Sequence, residues 1–388
     1  MMADWDVVVI GAGPAGAVAV CQVARQGRRV LLLEKKRFPR RKVCGACLNH
    51  AAITLLKENG FADSLRECGG SELTQIEIRA GSRRLWLALP GGGLAISRAV
   101  LDQRLVEAAI HAGAVFRDGL AATVGRSDGR ARHIQVRESS TGNSYEETSL
   151  LAKVVLVADG LGHPSLHRGR EFRDRQMRSA RVGAGCEVRE FPPGYAAGTI
   201  HMAVGRGGYV GLVQVEESAL NIAAAFDPWL LRASGGPAQA AAVLLSEAGF
   251  PGIAAMRQAE WLGTPALTRT TWPVASERLF VLGDAAGYVE PFTGEGIGWA
   301  LSSGVAIAPL ASRSCQSWRP SLAADWSREY AVLVRRRQRS CRAVAALLKH
   351  PTWVRSAMAL LPSMPRLLQP IVRGISLPRS RAGDVRLS

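Results

Sequence analysis

The sequence predicts an α/β chain with a doubly wound nucleotide-binding unit, a second region of mixed sheet and helix, and a basic helical tail. Three observations predict it. Residues 7–16 read VVVIGAGPAG, a buried strand running into a glycine turn and a helix, and Val30-Leu31-Leu32-Leu33 is a second apolar strand closed by Glu34. Two distant apolar strands, Val154–Val157 and Leu279–Leu282, run straight into Ala158-Asp159-Gly160 and Gly283-Asp284-Ala285-Ala286-Gly287. Between them, residues 181–273 alternate in β fashion around one helical stretch, which sets a separate sheet-and-helix region apart.

The first unit has the dinucleotide-binding βαβ order, with the acid about 20 residues beyond the glycines. Gly11 permits the tight turn, Gly13 lets the backbone approach a pyrophosphate, and Gly16 lets helix and strand pack closely. The helix N-terminus supplies free N–H groups and a positive dipole end, and Glu34 can accept from ribose hydroxyls. Helix is expected over Pro14–Gln26, ended by Gly27, and over Leu101–Ala112, whose Leu101, Leu105, Val106 and Ala109 share a face. Thr74–Leu89 reads as a hairpin around Gly81-Ser82. Short strands fill 120–158, with turns at Ser127-Asp128-Gly129 and Thr141-Gly142-Asn143. Strands follow near 182–189, 197–204, 209–215 and 219–226, then a helix near 237–248 and another from about Gly296.

At 388 residues the chain exceeds one ordinary core, and 47% hydrophobic content with 41 glycines suits a globular α/β protein. Met1–Asp6 has no basic stretch, and the apolar run after it is broken by glycines, so it reads as a strand and not as a signal peptide. Seven scattered cysteines are expected to be reduced thiols in a cytoplasmic protein. Cys44 and Cys47 have CxxC spacing but no second pair follows, so no metal site is expected. The formal charge is +17, and it is concentrated at the end: Arg335–Ser388 holds twelve Lys/Arg against Asp384 as its one acid. Ala331–His350 reads as a basic helix. The apolar pieces beyond it are broken by Pro362, Pro365 and Pro370, and none approaches the roughly 20 residues needed to span a bilayer. Arginines interleaved with Trp and Leu suit a peripheral contact with anionic lipid at the inner face of the membrane, or a helix that covers the body of the protein. No nucleic-acid module accompanies the charge, so nucleic acid is not an expected partner.

Three separated loops, each with a glycine or acid after a buried strand, exceed what a nicotinamide cofactor needs and match an extended FAD held along its length. GDAAGYVEPFTGEGIGWAL, residues 283–301, resembles the second FAD motif of the geranylgeranyl reductase family, within the wider p-hydroxybenzoate-hydroxylase-type flavoproteins. Phe38-Pro39 through Lys42-Val43-Cys44-Gly45 resembles that family's segment after the second strand, and Ser97-Arg98 with Asp102 and Leu105 resembles its arginine helix. The resemblance implies a Rossmann-like FAD-binding domain (1–72, 96–165, 275–330), an inserted α+β substrate domain (73–95, 166–274) and a helical C-terminal segment (331–388). It assigns cofactor contacts to Ala15, Glu34, Cys44, Gly45, Arg98, Asp284, Gly296 and Ile297, beside Gly11, Gly13 and Gly16 of the first turn. Arg98 can pair bidentately with the diphosphate, and Asp284 can accept from a ribityl hydroxyl. Asp159 can simply cap the turn after its strand.

A flavin does not by itself choose its reaction. Flavin halogenases place a lysine in the first third of the chain, yet none occurs between Lys57 and Lys153, and a Trp-x-Trp-x-Ile-Pro signature is missing around Trp86. An iron–sulfur quinone reductase would need a C-terminal cysteine set, and only Cys315 and Cys341 follow Cys186. What remains is reduction of carbon–carbon double bonds in a hydrophobic isoprenoid or lipid-like substrate. The alternatives are hydroxylation of an aromatic or polyketide product by an FAD monooxygenase, or a catalytically idle, membrane-associated flavin carrier. PFTGEG, residues 291–296, favours the reductase. Against it, the family's aromatic wall motif Tyr-x-Trp-x-Phe-Pro is altered here to Tyr209-Val210-Gly211-Leu212-Val213-Gln214. Cys44 and Tyr209 are the candidate catalytic groups. No second glycine fingerprint is present, so NAD(P)H would bind transiently, or a ferredoxin would supply the electrons.

Overall fold

A computed structural model describes residues 3–138, 147–166, 171–189, 191–290, 292 and 294–360. The predicted turn at Thr141–Asn143, Pro291 and Thr293 of the PFTGEG motif, and the proline-broken stretch after Leu360 lie outside them.

The first sheet is parallel where the sequence runs are continuously apolar. Trp5–Ile10 lies between Val30–Glu34 and Glu147–Val157, with Val7 opposite Val30 and Val154, and Ile10 opposite Leu33 and Val157. Leu279–Val281 pairs with the far side of Glu147–Val157, and Val115–Asp118 with the far side of Val30–Glu34. Strands buried on both faces need no alternation, and Val7, Val8 and Val9 are fully enclosed. An antiparallel ribbon, Leu120–Ser127 and Arg132–Glu138, extends the sheet through Glu147–Val157. Helix Pro14–Ala24 ends slightly earlier than expected. It crosses the long helix Gly296–Gln316 so closely that a Cβ on Gly304 would sit 2.5 Å from the Ala15 carbonyl oxygen.

The second sheet runs 262–266, 182–188, 220–226, 208–214, 199–205, 71–80, 83–95 and 47–49 in spatial order. Its alternation divides two environments. Val210, Leu212 and Ala224 face helices Pro228–Ser234 and Pro237–Glu247, whereas Tyr209 and Met202 turn to the other side, toward Leu348, Val354 and Met358. The short strand Cys47–Asn49 pairs with Arg83–Ala95, so the segment carrying Cys44 and Gly45 passes from the first sheet to the edge of the second. That differs from a boundary at residue 72, because the chain reaches the second sheet first at residue 47.

The tail is one continuous run from Pro320 to Leu347, with a single π-type turn over Ala331–Arg335, followed by helix Pro351–Leu360. Its apolar face is spent on the body. Val334, Gln338, Cys341 and Leu348 are buried, and Gln338 Nε2 donates to the Gly287 carbonyl at 3.1 Å. Leu348 is buried and Leu347 half-buried, so these leucines cover the body, one of the two arrangements the sequence left open. No described helix is long and apolar enough to cross a membrane.

Candidate functional site

One cavity of about 380 Å³ joins the two sheets. Gly13, Ala15, Cys44, Gly45, Arg98, Asp284, Gly296 and Ile297 all line its cofactor half. Gly11 and Gly16 shape the turn instead of lining it. Gly11 holds φ +102°, and a Cβ there would lie 2.4 Å from the Ala158 carbonyl oxygen; one on Gly16 would lie 1.9 Å from that of Gly11. Gly13 and Gly45 differ: a Cβ on Gly13 would first meet Arg98 at 3.5 Å, and one on Gly45 would meet nothing within 4 Å. Both positions present bare backbone to open space, as close passage of a dinucleotide requires.

Glu34 accepts from Ala12 N at 3.1 Å and from Lys36 N at 3.1 Å, so the acid ends the second strand and pins the glycine turn. Arg40 bridges Glu34 (3.3 Å) and Asp102 (2.9 Å). Arg98 in turn donates to Asp102 through Nε (2.9 Å) and NH2 (2.7 Å). That pairing orients the guanidinium and leaves its NH1/NH2 edge for an anion beside Gly13. Four buried charges thus lock the glycine turn to helix Arg98–His111, whose N-terminus Ser97 caps by accepting from Val100 N at 3.3 Å.

Lys42, which the sequence reading left without a role, lines the same half of the cavity. Its Nζ lies 2.8 Å from where a Cβ on Gly160 would be. Burial lowers its pKa, as do Arg98 and Arg40, while burial raises that of Asp284 against the pull of Lys42 and Arg98. Lys42 and Arg98 face the buried Asp284, with Arg40 close behind on Asp102, and this cationic cluster at the cavity would suit a diphosphate. The only hint in the sequence was that Lys42 stands two residues before Cys44. Asp159 accepts from Ser165 N at 2.9 Å and caps the short helix after its strand.

The other half of the cavity is apolar. Ile76, Ile78, Leu85 and Leu87 of the 71–95 hairpin form one wall, Ile200, Met202 and Gly211 a second, and Val344, Leu347, Val354 and Met358 of the tail a third. Among the described residues, no lysine lines this half. Tyr209 and Phe292 stand between the halves with ring centroids 5.1 Å apart at 86°. Tyr288 lines the cavity too, and burial drives the phenols of both tyrosines well above the usual range. Cys44 faces the cavity, with its carbonyl held by Asn221 Nδ2 at 3.0 Å. Burial, reinforced by Cys44, raises the pKa of Cys47 far above that of an ordinary thiol.

Residues 4–191 match the family model described as FAD binding domain. A menaquinone reductase of Mycobacterium tuberculosis (strain ATCC 25618 / H37Rv) is 28% identical over 376 residues, covering 90% of this chain and 85% of that protein. A digeranylgeranylglycerophospholipid reductase 2 of Methanopyrus kandleri is 31% identical over 162 residues, covering 41% of this chain and 38% of that one. Among solved structures, the flavin-dependent brominase Bmp2 superposes with a TM-score of 0.77 at 16% identity, covering 96% of this chain and 93% of that one. At that identity the likeness is one of fold.

Proposed function

We infer that this chain, an FAD-dependent oxidoreductase whose residues 4–191 match the FAD binding domain model, reduces a carbon–carbon double bond in a hydrophobic, isoprenoid-like substrate. The observation that carries the reading is the apolar half of the cavity, continuous with the cofactor half and walled by aliphatic side chains from both sheet and tail. A chain of isoprene units offers only apolar surface, and such a wall binds it by area alone. Two similar proteins named as reductases, of menaquinone and of a digeranylgeranyl phospholipid, support it. Bound FAD supplies hydride transfer in its reduced form. Arg98, Lys42 and the glycine turn would hold its diphosphate, Asp284 its ribityl chain, and Cys44, Gly45 and the Gly296 helix start would line the ring.

Hydroxylation is the second reading, since the same fold serves many flavin chemistries. Anaerobic reoxidation separates the two. Photoreduced protein should be reoxidised by a prenylated quinone or a geranylgeranyl lipid with loss of one double bond from the chain. Reoxidation only by oxygen, with hydroxylation of an aromatic ligand, would replace the reductase reading. Gly211 supplies a second arm. A Cβ there would already meet Met202 Sδ at 3.0 Å, so Gly211→Trp should plug the bore, cutting turnover of twenty-carbon chains about tenfold while sparing five- and ten-carbon ones.

The outer face of the tail completes the proposal. No acid occurs between Tyr330 and Leu360, while Arg336, Arg339, Arg342 and Arg355 are exposed, as is Trp353, at 62%. We place this face on anionic lipid, with the tail walls of the cavity directly beneath it. The protein should sediment with vesicles rich in phosphatidylglycerol at low salt and be released at high salt. Equal recovery in the supernatant under both conditions would remove the membrane contact.

A further inference from the structure

The wall between the two halves of the cavity contains buried charges that cofactor binding does not use. Arg181 is fully buried and donates from NH1 to Glu290 Oε1 at 3.0 Å and from NH2 to the Leu348 carbonyl at 3.0 Å, with Asp227 Oδ1 3.4 Å from its Nε. Glu290 is 3% exposed, and its carboxyl lies within reach of the Tyr209 hydroxyl. Tyr209 lines the cavity itself, its ring against Phe292 on one side and the Arg181 guanidinium, 5.7 Å away, on the other. An acid thus sits behind a phenol that faces the apolar bore.

We propose that Tyr209 is the acid that protonates the substrate alkene and that Glu290 restores its proton, with Arg181 holding the pair in place. This rests on the double-bond-reductase reading and names how that site completes the reaction. Saturating an alkene adds one hydrogen as hydride, which the reduced cofactor supplies with both electrons, and one as a proton. Tyr209 gives its phenolic proton to the second carbon, and the C–H bond forms as the O–H bond breaks. The phenolate oxygen then takes the proton of Glu290, which is replenished from solvent. No further oxidant or reductant is needed.

A purely structural ion pair would keep Glu290 ionised. Here two features favour a carboxyl that can hold a proton. Arg181 is shared with Asp227, so the cation stays paired whichever state Glu290 adopts. Burial raises the Glu290 pKa, opposed first by Arg181 and then by Tyr209 and Lys349. The other titratable groups facing the pair are Tyr288 and Cys341, neither of them cationic.

The test uses the FAD-loaded full chain. Infrared difference spectra between about pH 5 and 9 should show a protonated carboxyl that titrates in the wild type and in Y209F and is absent in E290Q. In single turnover with a prenylated quinone in deuterated water, two solvent deuteriums should enter the reduced double bond, one as the proton and one as the hydride, because the transferable hydrogen of a reduced flavin exchanges with solvent. Y209F and E290Q should slow reduction about 100-fold or more with KM within about twofold, E290D should recover part of the rate, and the pH limb belonging to Glu290 should vanish in E290Q. Should E290Q fail to retain FAD, Y209F and E290D carry the same comparison. Wild-type rates and an unchanged pH profile in these variants, or no titrating carboxyl, would overturn the couple while leaving the reductase standing. No alkene-dependent reoxidation of the wild type would instead remove the reductase reading and, with it, the role of the couple.

Discussion

Gly16→Ala should give a colourless protein that takes up no FAD at concentrations saturating the wild type. The added Cβ would lie 1.9 Å from the Gly11 carbonyl oxygen, 3.2 Å from its carbon and 3.3 Å from the Ala158 side chain. None of these is the movable end of a long side chain. The turn must therefore open, and with it the start of helix Pro14–Ala24, which carries Ala15 into the cofactor half of the cavity. Overpacking of a tight core costs about 1–3 kcal/mol in stability. Binding should suffer more, because the displaced backbone is the surface proposed to seat the diphosphate. We expect FAD affinity to fall at least 100-fold, read by flavin fluorescence quenching, with far-ultraviolet dichroism close to wild type. Gly27→Ala is the control: Gly27 also adopts positive φ, at +74°, but a Cβ there meets nothing within 4 Å. It should lose a little stability and no FAD. Normal yellow Gly16→Ala protein would mean that the turn is not the cofactor's seat.

The parts of the site that were legible in the sequence are those whose chemistry is local. The glycine turn, Glu34 and the second loop at Asp284 each follow a continuously apolar strand, and such a strand announces both its burial and its end. Cys44 and Gly45 were readable only by resemblance, since an extended segment between two sheets has no periodicity of its own. The Arg181–Glu290–Tyr209 group was not legible. Its members lie 28 and 81 residues apart along the chain, and each alone reads as an ordinary strand or loop residue. Lys42 was hidden for a related reason: it sits in a run of basic residues, where one buried cation looks like its exposed neighbours. The tail shows the opposite case. Its composition allowed either a lipid contact or a cover for the body; the second sheet leaves an open apolar face beside the cavity, and covering that face takes up the apolar side of the tail helices. Arg336, Arg339, Arg342, Arg355, Val332 and Trp353 remain outside.

Asp102→Asn should be the most damaging single change outside the glycine turn, although Asp102 touches no cavity. Its carboxylate is completely buried and accepts from Arg98 Nε, Arg98 NH2 and Arg40 NH1, all within 2.9 Å. The amide keeps the size but removes the charge and turns one acceptor into a donor facing a guanidinium. Arg40 would then keep only Glu34, which already holds Ala12 N and Lys36 N, and Arg98 would be left facing the buried Asp284. Removing one partner of a buried ion pair costs about 3–5 kcal/mol because the charge left behind stays buried. At an unfolding entropy of about 2.1 cal/mol/K per residue, that lowers Tm by roughly 4–6 °C for a chain of this length. The sign with cofactor is informative. On the proposed site an FAD diphosphate would bring negative charge to Arg98 and offset part of the loss, so the variant should gain more Tm from saturating FAD than the wild type does. A surface ion pair such as Arg66–Asp63 is the contrast, since Asp63→Asn should change Tm by less than about 1 °C. If Asp102→Asn melted with the wild type in both states, Arg40 and Arg98 would have to find other partners. The cofactor half of the cavity would then be less rigidly built than these hydrogen bonds describe.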